Sequence, residues 1–247
     1  MKKFGLFITM FAIVATLAFA GGASEKSEYV FGADATWPPF EFIDDNGKLT
    51  GFDVELVELI GSKINENFVA KNIPWDTIFA GLLNGQYDGV ASGVTVTEER
   101  KKTIDFSTVY AQVGQVVIVP KDSNITGIDD LAGKKVGVQI GTTGDFALDD
   151  YNTDTKKYDD IGLAIEDMLN GNLSAAVCDS LIANSFVLKN EKYSSLIKIV
   201  GDKFTTEDYA IGVKKGNTAL LEKINEGLAI AEKDGSLMAL KQKWGLV

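Results

Sequence analysis

The sequence predicts an α/β fold built from two similar lobes, on three observations. After Lys26, short apolar runs alternate with longer amphipathic stretches, the rhythm of strands feeding helices. That series runs from the first strand to about Ala91, and residues 114–188 repeat it in outline. No low-complexity linker separates the two halves, so any connection between them is short and extended.

Ahead of the fold, Lys2 and Lys3 precede an apolar and small-residue run from Phe4 to Ala20 that closes on Ala18-Phe19-Ala20. This is the pattern of a cleavable secretory signal peptide over residues 1–20. The run is short for a membrane span and no basic stop-transfer flank follows it. No cysteine follows it either, so a freely soluble exported chain is expected.

The elements then follow in order. Residues 29–33 read as a strand, and 41–43 as an extended piece closed by the turn Asp45-Asn46-Gly47. Leu56, Leu59, Ile60 and Ile64 recur at helical spacing within an amphipathic helix over 52–65. A strand at 68–73, a helix at 76–84 and a buried strand at 88–91 complete a βαβ series, which implies parallel pairing. The second series reads as strands at 114–120 and 135–138, a helix from Asp145, a helix at 161–169, a strand at 175–177 and a helix at 181–188. A strand at 209–213 and helices at 219–233 and 236–244 lack the apolar surface of a third domain, and are expected to return to the first lobe.

Composition narrows the function. Cleavage after Ala20 would remove two of the 24 basic residues and none of the 35 acids, leaving a net charge of −13. Nucleic acid and anionic membrane surfaces are poor partners for such a chain. The single Cys178 cannot form an internal disulfide, and histidine is absent. That removes Ser-His and Cys-His nucleophiles and every histidine metal site; no catalytic residue, metal or cofactor is expected.

In open parallel sheets, ligands gather where strand ends lead into helices, and four segments with unusual chemistry fall there. In 34–40, Pro38 and Pro39 stiffen a loop on which Trp37 offers either a core ring or a flat binding face. In 91–100, Thr97 is a natural helix N-cap, and Arg100 lies where a guanidinium can turn back toward the strand ends. Arg100 is the one arginine beside 23 lysines. A guanidinium binds carboxylates bidentately and lysine does not, so a geometric need competes with the ordinary reading of a solvated surface charge. In 139–144, the turn Gly141-Thr142-Thr143-Gly144 opens a helix and could receive an anion, though no Gly-Lys-Ser/Thr follows to make it a P-loop. In 177–180, Asp179 is either the cap of a helix or the partner of an ammonium.

Taken in order, Gly32-Ala33-Asp34-Ala35-Thr36-Trp37-Pro38-Pro39-Phe40-Glu41, Gly51-Phe52-Asp53-Val54-Glu55-Leu56, Trp75-Asp76, Gly93-Val94-Thr95-Val96-Thr97-Glu98-Glu99-Arg100, Ile104-Asp105-Phe106-Ser107, Val136-Gly137-Val138 with Gly141-Thr142-Thr143, Asp179 and Asp234-Gly235-Ser236 carry a resemblance. The chain resembles the polar amino-acid-binding periplasmic proteins of ABC importers, solute-binding protein family 3. The resemblance implies the two-lobe type II periplasmic binding fold, with lobe 1 over 27–110 plus 208–247, lobe 2 over 115–202, and hinges at 111–114 and 203–207. It implies that Arg100, with backbone groups of Gly93, Thr95 and Thr143, holds a ligand α-carboxylate. Asp179, joined by Thr95 and the carbonyl near Gly93, would take the α-ammonium. Trp37 and Trp75 would sandwich the ligand side chain, while Asp34, Ser92 and Gln139 would read its far end. The implied protein is a periplasmic monomer that closes on a polar, possibly basic, L-amino acid and hands it to a membrane permease. Two other roles share the fold: an exported enzyme resembling cyclohexadienyl dehydratase, and a sensor feeding a membrane receptor.

Overall fold

The computed structural model describes residues 27–247; the expected signal peptide lies outside the described residues. The chain opens with β1 (Tyr29–Ala33), the short antiparallel strands β2 (Thr36–Trp37), β3 (Glu41–Ile43) and β4 (Leu49–Thr50), and helix α1 (Phe52–Lys63). β5 (Phe68–Asn72), α2 (Trp75–Leu83), β6 (Gly89–Val90) and β7 (Ile104–Phe106) follow. β5 and β6 both pair with β1 in parallel, as the βαβ pattern requires.

β8 (Ala111–Val113) then leads to β9 (Gln115–Pro120), β10 (Lys135–Gln139), α3 (Thr143–Ala147), β11 (Asp154–Tyr158), α4 (Ile161–Leu169), β12 (Ala175–Asp179), α5 (Ser180–Asn184) and β13 (Ile197–Val200). These strands form a second sheet of order β11-β10-β12-β9-β13, parallel around β10 and antiparallel at β9. β14 (Glu207–Tyr209) crosses back and pairs antiparallel with β8. β15 (Gly212–Lys214) completes the first sheet, β5-β1-β6-β15-β7, and α6 (Thr218–Lys233) and α7 (Ser236–Trp244) end the chain. The molecule is thus two α/β lobes, each around a five-stranded sheet, joined by a two-stranded ribbon.

Packing follows the sequence periodicity. In α4, Ile161, Ala164, Ile165 and Met168 are buried on one face. In α1 the buried stripe is Leu56, Val57 and Ile60, while Leu59 and Ile64 pack at its edge. α6 returns to the first lobe against α1, where a Cβ on Gly227 would lie 2.6 Å from the Ile60 side chain; only a glycine lets the two helices approach so closely.

The expected helix after Thr97 is a single 3₁₀ turn at Arg100–Lys102, although the Thr97 hydroxyl does accept the Arg100 amide at 3.1 Å. The strand expected at 209–213 is broken in two. Its first half, β14, belongs to the interlobe ribbon and its second, β15, to the first sheet.

Candidate functional site

β1 and β6 in one lobe and β10 and β12 in the other end at a common cleft, and the segments after them build its walls. The cleft is lined by Asp34, Trp37, Trp75, Ser92, Gly93, Thr95 and Arg100 on one side and Gln139, Thr142, Thr143 and Asp179 on the other. All ten residues singled out in the sequence are therefore brought together, and Thr142 joins them. The two walls touch. Gln139 Nε2 donates to Asp34 Oδ2 at 2.9 Å, and the Thr95 and Thr143 hydroxyls lie 3.4 Å apart.

Arg100 is half-buried, and its Nη1 donates to the Thr95 carbonyl at 2.9 Å. Its guanidinium carbon sits 5.3 Å from the Trp75 ring centre and 4.9 Å from that of Phe79, within cation–π range. Among the described residues, no carboxylate lies within 4.0 Å of it. Burial lowers its pKa to about 10, against the pull of Asp179 and Glu207 in the other direction. The guanidinium is oriented by rings and one carbonyl, and its charge has no acid in contact.

Asp179 is the complementary case. It stands at the N-cap position of α5, yet its side chain makes no capping bond. The carboxyl is 3 % exposed, and Oδ1 is buried without a hydrogen-bond partner. Burial, with Glu207 as a nearby like charge, pushes its pKa up to about 7, while Tyr209 and Gln115 hold it down. A buried acid with an unmatched oxygen lowers its free energy most by meeting a cation.

The remaining predicted residues are held from behind. Ser92 Oγ receives the Asp34 amide at 2.9 Å and donates to Glu41 Oε1 at 2.8 Å. Burial raises the pKa of Asp34, whose Oδ2 also accepts from Thr36 Oγ1 at 3.0 Å. Gly93 departs from expectation: its amide does not face the cleft but donates to Asp53 Oδ2 at 2.7 Å, because Asp53 is buried directly beneath it. The turn amide of Gly141 is likewise committed, to Asp145 Oδ2 at 3.0 Å. Trp37 is 6 % exposed and Trp75 9 %, and Trp37 Nε1 donates to the Tyr209 hydroxyl at 3.4 Å.

Comparison with known proteins settles the family. The model of the bacterial extracellular solute-binding proteins, family 3, matches residues 29–247. The chain belongs to this family. It is 35 % identical over 232 residues to a probable histidine-binding protein of Neisseria gonorrhoeae, covering 92 % of this chain and 86 % of the relative. It is also 35 % identical over 224 residues to the L-cystine-binding protein TcyJ of Escherichia coli K12, covering 89 % and 83 %. Among solved structures, an ancestral arginine-binding protein bound to arginine matches with 40 % identity and a TM-score of 0.83, over 89 % of this chain and 98 % of that one. The two-lobe architecture is that of the type II periplasmic binding fold, and the chain is an amino-acid-binding member of the family. No described helix is long and apolar enough to cross a membrane.

In this solute-binding protein, sequence reasoning missed Glu207, Gln115, Tyr209 and Phe79 around the cleft. Glu207, on the ribbon, accepts from the hydroxyls of Thr95 (2.8 Å), Thr143 (2.6 Å) and Thr205 (2.8 Å), and from Gln115 Nε2 (3.1 Å). The usable signal was period two in Glu207-Asp208-Tyr209, which turns Glu207 and Tyr209 to the same buried side. It was obscured by reading the strand as starting at Tyr209.

Proposed function

We propose that the chain is an exported binding protein that captures a polar L-amino acid between its lobes and delivers it to the membrane permease of an ABC importer. The observation that carries this is the pair Arg100 and Asp179 lining one cleft from opposite walls, the first with no acid in contact and the second with an unmatched buried oxygen. An α-carboxylate answers the guanidinium bidentately and an α-ammonium answers Asp179. Only a ligand carrying both groups satisfies both walls, and that links binding to hinge closure. Gly93, Thr95 and Thr143 would complete the contacts, and Trp37 and Trp75 would flank the side chain.

At the far end, Asp34 and Trp75 also border a neighbouring space lined by Asp76, Asp159 and Asp160. That concentration of acids fits a basic side chain, in keeping with relatives named for histidine and arginine. A neutral amide side chain is the second reading, favoured because Asp34 already accepts an amide nitrogen, that of Gln139. The role is binding and not catalysis, in line with relatives that are named as binding proteins. Residues 1–20 would direct export to the periplasm, where the protein acts as a monomer without a cofactor.

A thermal-shift screen of the twenty amino acids with ornithine and cystine tests this reading, because a ligand that binds only the native state raises the melting temperature by mass action. L-Arginine or L-lysine is expected to give the largest shift; no shift with any amino acid would overturn it.

A further inference from the structure

We infer that Glu207 is the closure latch of this protein: a positioning residue on the interlobe ribbon that accepts hydrogen bonds from both lobes and so holds the walls together. Its carboxylate has four donors, and each oxygen takes two. Oε1 accepts from Gln115 Nε2 at 3.1 Å and Thr205 Oγ1 at 2.8 Å; Oε2 accepts from Thr95 Oγ1 at 2.8 Å and Thr143 Oγ1 at 2.6 Å. A carboxylate offers about four acceptor positions, so this one is filled.

The donors divide by how they are anchored. The Thr95 segment is stitched to β14 by Val96 N to Asp208 O at 2.8 Å and Ala210 N to Val94 O at 3.1 Å, so Thr95 and Glu207 stay together. Gln115 begins β9 of the second sheet, next to the ribbon, and its amide donates to Thr205 Oγ1, just ahead of β14, at 2.8 Å. Thr143 is different: it begins α3 in the second lobe and reaches Glu207 across the cleft. Opening the cleft would carry Thr143 away from Thr95 and Glu207. Glu207 is 8 % exposed, so the bond forms out of bulk water, where a charged hydrogen bond is strongest.

The arrangement also fixes the polarity of the site. The hydroxyl protons of Thr95 and Thr143 point to Glu207, so their oxygens present lone pairs toward neighbouring groups. Thr95 can therefore accept from a ligand ammonium, while its proton is withheld from a ligand carboxylate. This part rests on the amino-acid reading of the cleft; the latch itself does not.

The test is a double-mutant cycle of Glu207→Gln and Thr143→Val, read by stopped-flow tryptophan fluorescence with L-arginine as the probe and by small-angle scattering without ligand. Each single variant is expected to release L-arginine roughly tenfold faster, as loss of a charge-assisted hydrogen bond implies. Association rates should stay nearly unchanged, and the double variant should release no faster than the worse single one. Unchanged release, or effects that multiply, would overturn the latch. Should the wild type fail to bind L-arginine, the functional reading fails separately and ligand-free scattering decides: a larger radius of gyration in Glu207→Ala than in wild type supports the latch, and equal radii refute it.

Discussion

At the scale of single residues, the cleft is organised by unbalanced charges. Asp179 is held neutral more readily than an ordinary aspartate because it is buried beside Glu207, with a pKa of about 7. An ammonium ligand requires its ionised form, so amino-acid affinity should fall as pH drops below about 7, by at most about tenfold per unit. Calorimetry from pH 5.5 to 8 should show this slope, and Asp179→Asn should bind weakly with no slope in that window. Asp34 acts at the other end of the ligand. Asp34→Asn should weaken L-arginine more than tenfold while changing L-glutamine little, if the acidic end of the cleft reads a cationic tip. Equal losses for both ligands would place Asp34 outside side-chain recognition.

At the scale of elements, the loop after β6 does the most with the fewest residues. Gly93 has φ +53°, and a Cβ there would meet the Tyr209 ring at 2.9 Å and Trp37 at 3.0 Å. Gly93→Ala should therefore destabilise the protein by about 1–3 kcal/mol in chemical denaturation and weaken ligand binding at the same time. The elements legible in the sequence were α1 and α4, whose burial follows the helical period, and β1, β9 and β12, which are short, largely apolar and buried runs. β11, Asp-Thr-Lys-Lys-Tyr, was not legible, because it is a sheet edge whose mostly solvent-facing residues leave no apolar alternation. β14 was hidden for the opposite reason: its buried Glu207 reads as a surface acid until the threonines that satisfy it are brought from distant segments. The clustering of the ten cleft residues was foreseen from strand ends and resemblance, whereas the commitment of the Gly93 amide to Asp53 depends on burial that no local pattern encodes.

At the scale of the whole molecule, two lobes on a two-stranded ribbon place a set of buried acids at and beneath their interface. Burial raises the pKa of Asp53 to about 7, that of Glu41 well above its usual range, and those of Asp34 and Asp179 as well. A carboxyl whose pKa is higher folded than unfolded adds stability that is full below about pH 4 and is lost as pH rises through its folded value. The ligand-free protein should thus melt several degrees lower at pH 8 than at pH 5. Asp53→Asn should flatten that dependence, separating it from the general repulsion of an acidic chain. The most direct test of the central claim, that Arg100 and Asp179 clamp the two α-groups of one amino acid, is calorimetric titration of L-arginine into wild type, Arg100→Lys and Asp179→Asn. Each variant should remain folded and lose about 2–5 kcal/mol of binding free energy, as when one partner of a desolvated charge pair is removed; wild-type affinity in both variants would contradict it.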